Sequence, residues 1–212
     1  MTELAVNTFI LLFVVIDPVG LAPMYVAMCG NESRLICRKT AVKGVCIAAI
    51  ILVLFLFTGE SLLHYLGIRT ASFSIAGGIL LLLLAIDMVL VRQSGLRSTT
   101  HSEQVEARHR EDISVFPLAI PMIAGPGSLT TILLLRSESV FSTETAIILV
   151  VLLVVLLITL IMLVMAVQIT GLLGETGANV ITRVLGILLT ALAIQYIVNG
   201  LLSTFPFLGM SN

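Results

Sequence analysis

Long apolar runs separated by short polar stretches dominate this chain, at about 4–29, 41–58, 71–91, 114–135, 144–170 and 181–203. Each is close to or longer than the ~20 residues a helix needs to cross roughly 30 Å of hydrocarbon. None alternates apolar with polar positions as a barrel strand would. The pattern therefore predicts an all-α membrane protein with six transmembrane helices. The fifth run carries no charge or proline from Ala146 to Val167 and reads as scaffold.

Two runs are interrupted. The first holds "VVIDPVGLAPMY", residues 14 to 25, which puts Asp17, Pro18, Gly20 and Pro23 where a charge and a broken backbone cost most. The fourth holds "FPLAIPMIAGPGSLTTI", residues 116 to 132. Proline has no amide proton and clashes with the preceding turn, and glycine tolerates unusual backbone angles, so regular helix should stop within both stretches. The polar backbone freed there is tolerable at membrane depth only where protein, water or a ligand satisfies it. A half-helix should restart near Pro18 to Leu21 and near Gly127 to Thr130. Each restart offers unpaired amides and a positive dipole end suited to a carboxylate.

The interruptions sit in register. "GILLLLLAIDMV" at 78–89 and "GILLTALAIQYI" at 186–197 match at seven of twelve positions, an offset of 108, and the same offset lays "DPVGL" at 17–21 on "GPGSL" at 125–129. The chain then divides into a first three-helix repeat (1–91), a polar linker (92–112) and a second three-helix repeat (113–212). An odd number of crossings per half inverts the second relative to the first, the arrangement in which secondary transporters place a substrate site at the repeat interface. Both broken helices are candidates for that site: Asp17, Pro18, Gly20, Gly125, Pro126, Gly127, Ser128 and Thr130 for substrate, Asp17 and Asp87 for proton or ion coupling. Asn7, Gln195 and Asn199 are candidate pocket-lining groups. The bland alternatives are an Asp17 that only caps its own half-helix, an Asp87 at the interface beside Arg92, and a Gln195 and Asn199 that bond between helices. Gly77 and Gly78 are accounted for by close helix packing.

Composition agrees with the pattern and narrows it. Hydrophobic residues make up 58% of the 212, charged residues 11%, and mean hydropathy is +1.17, well outside the soluble range. The net charge of −1 gives no basic surface for nucleic acid. Nine of the eleven basic residues fall at loops 1–2, 3–4 and 5–6, leaving only Arg69 and Arg136 opposite, so both termini should face away from the cytoplasm. The start of the chain has no Lys or Arg before Arg34, unlike a secretory signal, and reads as a retained helix. Cys29, Cys37 and Cys46 are expected as free thiols, and His101 and His109 in the linker lack ligand spacing, so no metal or other cofactor is expected.

At these residues the chain resembles the MarC family of bacterial inner-membrane proteins, which includes the SnatA-type small neutral amino acid transporters. "FVVIDPVGLAPMY" at 13–25 and "PLAIPMIAGPGSLTTILLL" at 117–135 carry the resemblance, with "AGGILLLLLAIDM" at 76–88 in support. It implies transport of glycine, alanine, serine or threonine coupled to protons, in a multi-pass inner-membrane protein. The expected partners are a small-molecule substrate, the lipid bilayer, a proton or sodium co-ion and, compatibly, further copies of itself. The expected chemistry is binding and release, not catalysis. Other classes these residues could serve are a channel-like pore, efflux of another small solute, and a protease using Asp17 with Asp87. No companion motif accompanies the two aspartates, and a chain with no Trp and three Tyr is a poor host for a large cationic drug.

Overall fold

The computed structural model describes residues 1–30, 32–90, 113–135 and 142–205. The linker expected at 92–112, with its two histidines, lies outside them. The described chain forms α1 (Thr2–Ile16), α2 (Pro18–Cys29), α3 (Arg34–Tyr65), α4 (Thr70–Leu90), an irregular segment (Ser114–Ile123), α5 (Pro126–Leu135), α6 (Thr143–Val164) and α7 (Ala166–Thr204). Among the described residues, five helical stretches are long and apolar enough to cross a membrane, with α1 and α2 counted together. The irregular segment and α5, bent by 49° to each other, are together apolar and long enough for a sixth, as a broken span or a re-entrant loop.

Helix ends depart from the apolar runs for an identifiable reason. The run at 41–58 lies within α3, whose 32 residues span about 48 Å at 1.5 Å per residue. Backbone hydrogen bonding does not stop where the hydrocarbon does, and Ser33 caps the polar start by accepting from the Ile36 amide. The run at 144–170 ends as a helix at Val164, and α7 begins at Ala166 but turns at Gly174, whose φ of 65° is left-handed. Pro23, expected to help break the first helix, lies inside α2 without ending it.

Packing without a hydrophobic force between helices relies on close approach, which small residues permit. α4 and α7 pack antiparallel on this basis. A methyl on Gly78 would come within 2.7 Å of Ile197 Cγ1 and 2.8 Å of the Ala193 carbonyl oxygen. One on Gly186 would come within 2.9 Å of Met88 Cβ and 3.0 Å of Val89 Cγ2. Gly200 packs in the same way on Ala71 and Ile75. Gly78→Leu or Gly186→Leu should therefore separate the pair and lower stability in detergent by about 1–3 kcal/mol, the cost of overpacking, read as an earlier midpoint of unfolding.

Two buried clusters result. One joins α1 and α2 to α3, the irregular segment and α6, and is centred on Leu12, Ile16, Leu52, Leu56, Ile123 and Leu152. The other sets Val14 and Val15 of α1 against Leu81, Leu84, Ala85 and Met88 of α4 and Leu189 and Ala193 of α7. The end of α1 thus lies between the two.

Candidate functional site

The first break is a single residue. Asp17 adopts φ 49° and ψ 65°, the left-handed region that Asp tolerates better than most side chains because it bonds locally. Its amide closes α1 by donating to the Phe13 carbonyl at 2.9 Å, and its carbonyl accepts from the Leu21 amide at 3.0 Å. Its carboxylate Oδ1 accepts from the Gly20 amide at 3.1 Å, with Pro18 in the first turn. The capping role is therefore real. The carboxylate is also 1% exposed and enclosed. A methyl on Gly20 would fall on Asp17 Oδ2 and lie 2.8 Å from the Thr182 hydroxyl of α7. Glycine at this position makes room for the acid and lets α2 come close to α7. Thr182 was not legible in the sequence, since membrane threonines commonly bond only to their own helix.

The second break is longer and built differently. Phe116 and Ile120 are extended (φ −131°, ψ 124° and φ −128°, ψ 126°) because each precedes a proline, whose ring disfavours helix in the residue before it. This non-helical backbone is covered by α3. Gly44 of α3 receives Leu118, and a methyl there would stand 2.9 Å from Leu118 Cγ and 3.0 Å from the Ser114 carbonyl oxygen. The segment ends at Ala124, and α5 restarts at Pro126, one residue before the expected start, because proline is pre-organised for the first helical position. The buried Ser128 hydroxyl donates to the Ile123 carbonyl at 2.7 Å, turning back across the break. Ser128→Ala would leave that carbonyl without its partner and should cost about 1–3 kcal/mol, measurable as a lower unfolding midpoint with helix content unchanged.

The two breaks are adjacent. Gly127 packs beside Val15, two residues before Asp17: a methyl on it would lie 3.2 Å from Val15 Cγ1 and 3.0 Å from Leu81 Cδ2. Next to this contact is a cavity of about 20 Å³, walled by Pro121, Met122, Gly125, Pro126, Gly127 and Ser128 on one side and by Val15, Leu80 and Leu84 on the other. That volume admits about one water molecule. The amide end of α5 borders it, and the side chain that could neutralise this end is a hydroxyl already turned to Ile123. At the first break, by contrast, a carboxylate occupies the equivalent place at the start of α2.

The structure brings together Gly125, Pro126, Gly127 and Ser128 in the cavity wall. Asp17, Pro18 and Gly20 are outside that wall, at the start of α2, two to five residues along the chain from Val15. The structure does not bring the other candidates there either. Thr130 is buried against Gly77, where a methyl would lie 2.9 Å from the threonine Cβ and Oγ1, so it serves helix packing. Asn7 is exposed on α1. Gln195 and Asn199 are exposed on α7 and bond to each other, amide nitrogen to oxygen, at 2.8 Å, so they neither line the pocket nor join two helices. Asp87 is half-buried on α4, about one turn past Leu84 and outside the wall. Among the described residues no three His, Cys, Asp or Glu side chains form a metal-sized group.

These features define a class: an integral, multi-pass helical membrane protein in which two broken helical stretches pack against each other beside a small cavity. Within that class the chain belongs to the MarC family of integral membrane proteins, whose pattern it matches over residues 2–205. It is 35% identical over 198 residues to the UPF0056 membrane protein YhcE of Escherichia coli, covering 93% of this chain and 92% of that protein. It is 32% identical over 212 residues to YvbG of Bacillus subtilis, covering 98% and 99%. It is 34% identical to MJ1677 of Methanocaldococcus jannaschii over 195 residues, covering 90% and 92%. No solved structure matches the chain.

Proposed function

We propose that this protein is a secondary transporter of small neutral amino acids, working by alternating access between two inverted three-helix halves and coupled to protons through Asp17. The observation that carries the reading is the meeting of the two breaks, with Val15 against Gly127 and the cavity beside them. Neither break needs the other for local reasons, and a shared cavity is what a midplane substrate site requires.

Further support comes from the packing of α4 on α7. Gly78 and Gly186 are separated by 108 residues, as are Val89 and Ile197. A methyl on Gly78 would lie 3.0 Å from the Ile197 amide nitrogen, and one on Gly186 would lie 3.1 Å from the Val89 amide nitrogen. The contact is reciprocal, as expected of two halves related by a pseudo-two-fold axis. In the proposed cycle the substrate carboxylate meets the amide end of α5 at Gly127 and Ser128. Asp17, already occupying the start of α2, alternates between ionised and protonated forms as the halves rock. Since the cavity admits only about one water, substrate enters when the wall of α4 separates from the second break.

The test is exchange of labelled alanine into alanine-loaded liposomes carrying the purified protein, with proton and sodium gradients imposed separately. Saturable exchange competed by glycine and serine is the expected result. Its absence under every gradient would remove the amino acid reading, and a large unitary conductance in planar bilayers would replace the carrier with a pore.

A further inference from the structure

α3 begins before its apolar run does. The run occupies 41–58, and residues 34–40 ahead of it extend the helix by about 10 Å, enough to pass through the roughly 5–8 Å headgroup layer of one leaflet. At about 100° per residue, this end of the helix sorts into three rows. Arg34 and Arg38 form one, Lys39 and Lys43 another, and between them runs a strip of Leu35, Val42 and Cys46, which fall within about 40° of one another. All seven residues are exposed, Leu35 to 65% and Val42 to 44%. The first turn holds no acidic residue, and like charges one turn apart repel along each basic row. The end is nevertheless held in place. The Ser33 hydroxyl accepts from the Ile36 amide, and the buried Tyr25 of α2 donates its hydroxyl to the Cys37 carbonyl oxygen.

We propose that this face of α3 binds an anionic phospholipid of the phosphatidylglycerol class, taken from the surrounding leaflet. The phosphate lies across the strip between Arg38 and Lys39, which are adjacent in sequence and about 100° apart around the helix, with Arg34 one turn further out beside Arg38. Guanidinium and ammonium groups both donate to phosphate oxygens. One acyl chain then follows Val42 and Cys46, both inside the apolar run, into the hydrocarbon. A strip of exposed apolar side chains bordered by basic rows suits an amphiphile, whereas a free anion would gain nothing from the strip. The long basic side chains add to the fit, since their stems lie along apolar surface while their charges stay at the phosphate level. The bound lipid relieves the repulsion within the basic rows and steadies α3 at the end where Tyr25 ties α2 to it. The assignment stands independently of any transport reading.

The test titrates the full chain, delipidated in detergent, with phosphatidylglycerol and with phosphatidylcholine of the same acyl chains, and follows bound lipid by native mass spectrometry. Phosphatidylglycerol should bind the more tightly, by a margin that shrinks as salt is raised. Arg38→Gln combined with Lys39→Gln should weaken the tightest phosphatidylglycerol by roughly thirtyfold, the effect of two basic charges beside an anionic headgroup, and leave phosphatidylcholine unchanged. Both residues are exposed, so the fold should not suffer. Arg69→Gln, which removes an exposed charge beyond the other end of α3, is the control and should leave the preference intact. Equal binding of the two lipids would overturn the proposal, as would a preference that survives in the double variant. Displacement of the lipid by millimolar inorganic phosphate would also overturn it, since the site would then belong to a free anion.

Discussion

Asp17→Asn is expected to leave the protein folded and to reduce proton-driven alanine uptake by roughly ten- to a hundredfold, the equivalent of losing interactions of about 1.5–3 kcal/mol made by a charged group. Asparagine suits this test on three structural counts. It caps helices as well as aspartate does, so the bond to the Gly20 amide survives. It is among the few side chains that tolerate the left-handed backbone held at φ 49°. It also fits the space that Gly20 leaves beside Thr182. Only the ionisable group is removed. Uptake with and without an imposed pH gradient, alongside the unfolding midpoint, separates the roles. A variant as stable as the original that retains full proton-driven uptake would make Asp17 a cap and nothing more. Asp17→Ala is the contrasting case. It loses the cap, at about 1 kcal/mol, and places an ordinary side chain in the left-handed region, at about 1–2 kcal/mol, so it should be visibly less stable as well as inactive.

Gly125→Ala should be among the most damaging single methyls at the described glycines. The added carbon would fall on the backbone carbonyl oxygen of Pro121. A flexible side chain could turn away from it, but this carbonyl belongs to a segment whose path is set by two prolines and by Leu118 seated on Gly44. Overpacking of a well-filled interior costs about 1–3 kcal/mol, and here the displaced atoms are the cavity wall itself, so binding should fail together with stability. Gly171→Ala is the matched control: nothing lies within 4 Å of the new methyl, and in helix alanine is favoured over glycine by up to about 1 kcal/mol. Equal effects of the two substitutions on midpoint and uptake would refute the argument that Gly125 is required by close approach.

Much of this architecture was legible in the chain because its cause is local. An apolar run of membrane-crossing length has few alternatives to a helix. A helix stops near Asp17-Pro18 and Gly125-Pro126 because proline and glycine act on their own backbone. The capping of α2 by Asp17 follows from the same short stretch. Position at the cavity was legible only where the backbone itself forms the wall, as at Gly125, Pro126 and Gly127. The polar candidates on regular helices lie away from that cavity wall. Asn7, Gln195, Asn199 and Thr130 are as polar as pocket residues should be, but sequence alone does not say which side of a helix faces its neighbours when almost every side is apolar.

By itself, then, the sequence determined that this is a helical membrane protein of the MarC family, with five or six apolar spans, two stretches of broken helix, and an aspartate at one break. Local sterics, backbone hydrogen bonding and hydrocarbon thickness suffice for that. Only the tertiary structure decided that the two breaks meet at Val15 and Gly127, that Gly20 leaves room for the acid where α2 meets Thr182 of α7, and that Thr130 fills the space over Gly77. These depend on which helix faces approach most closely, and in a membrane that choice rests on small residues, shape and a few hydrogen bonds spread along the whole chain.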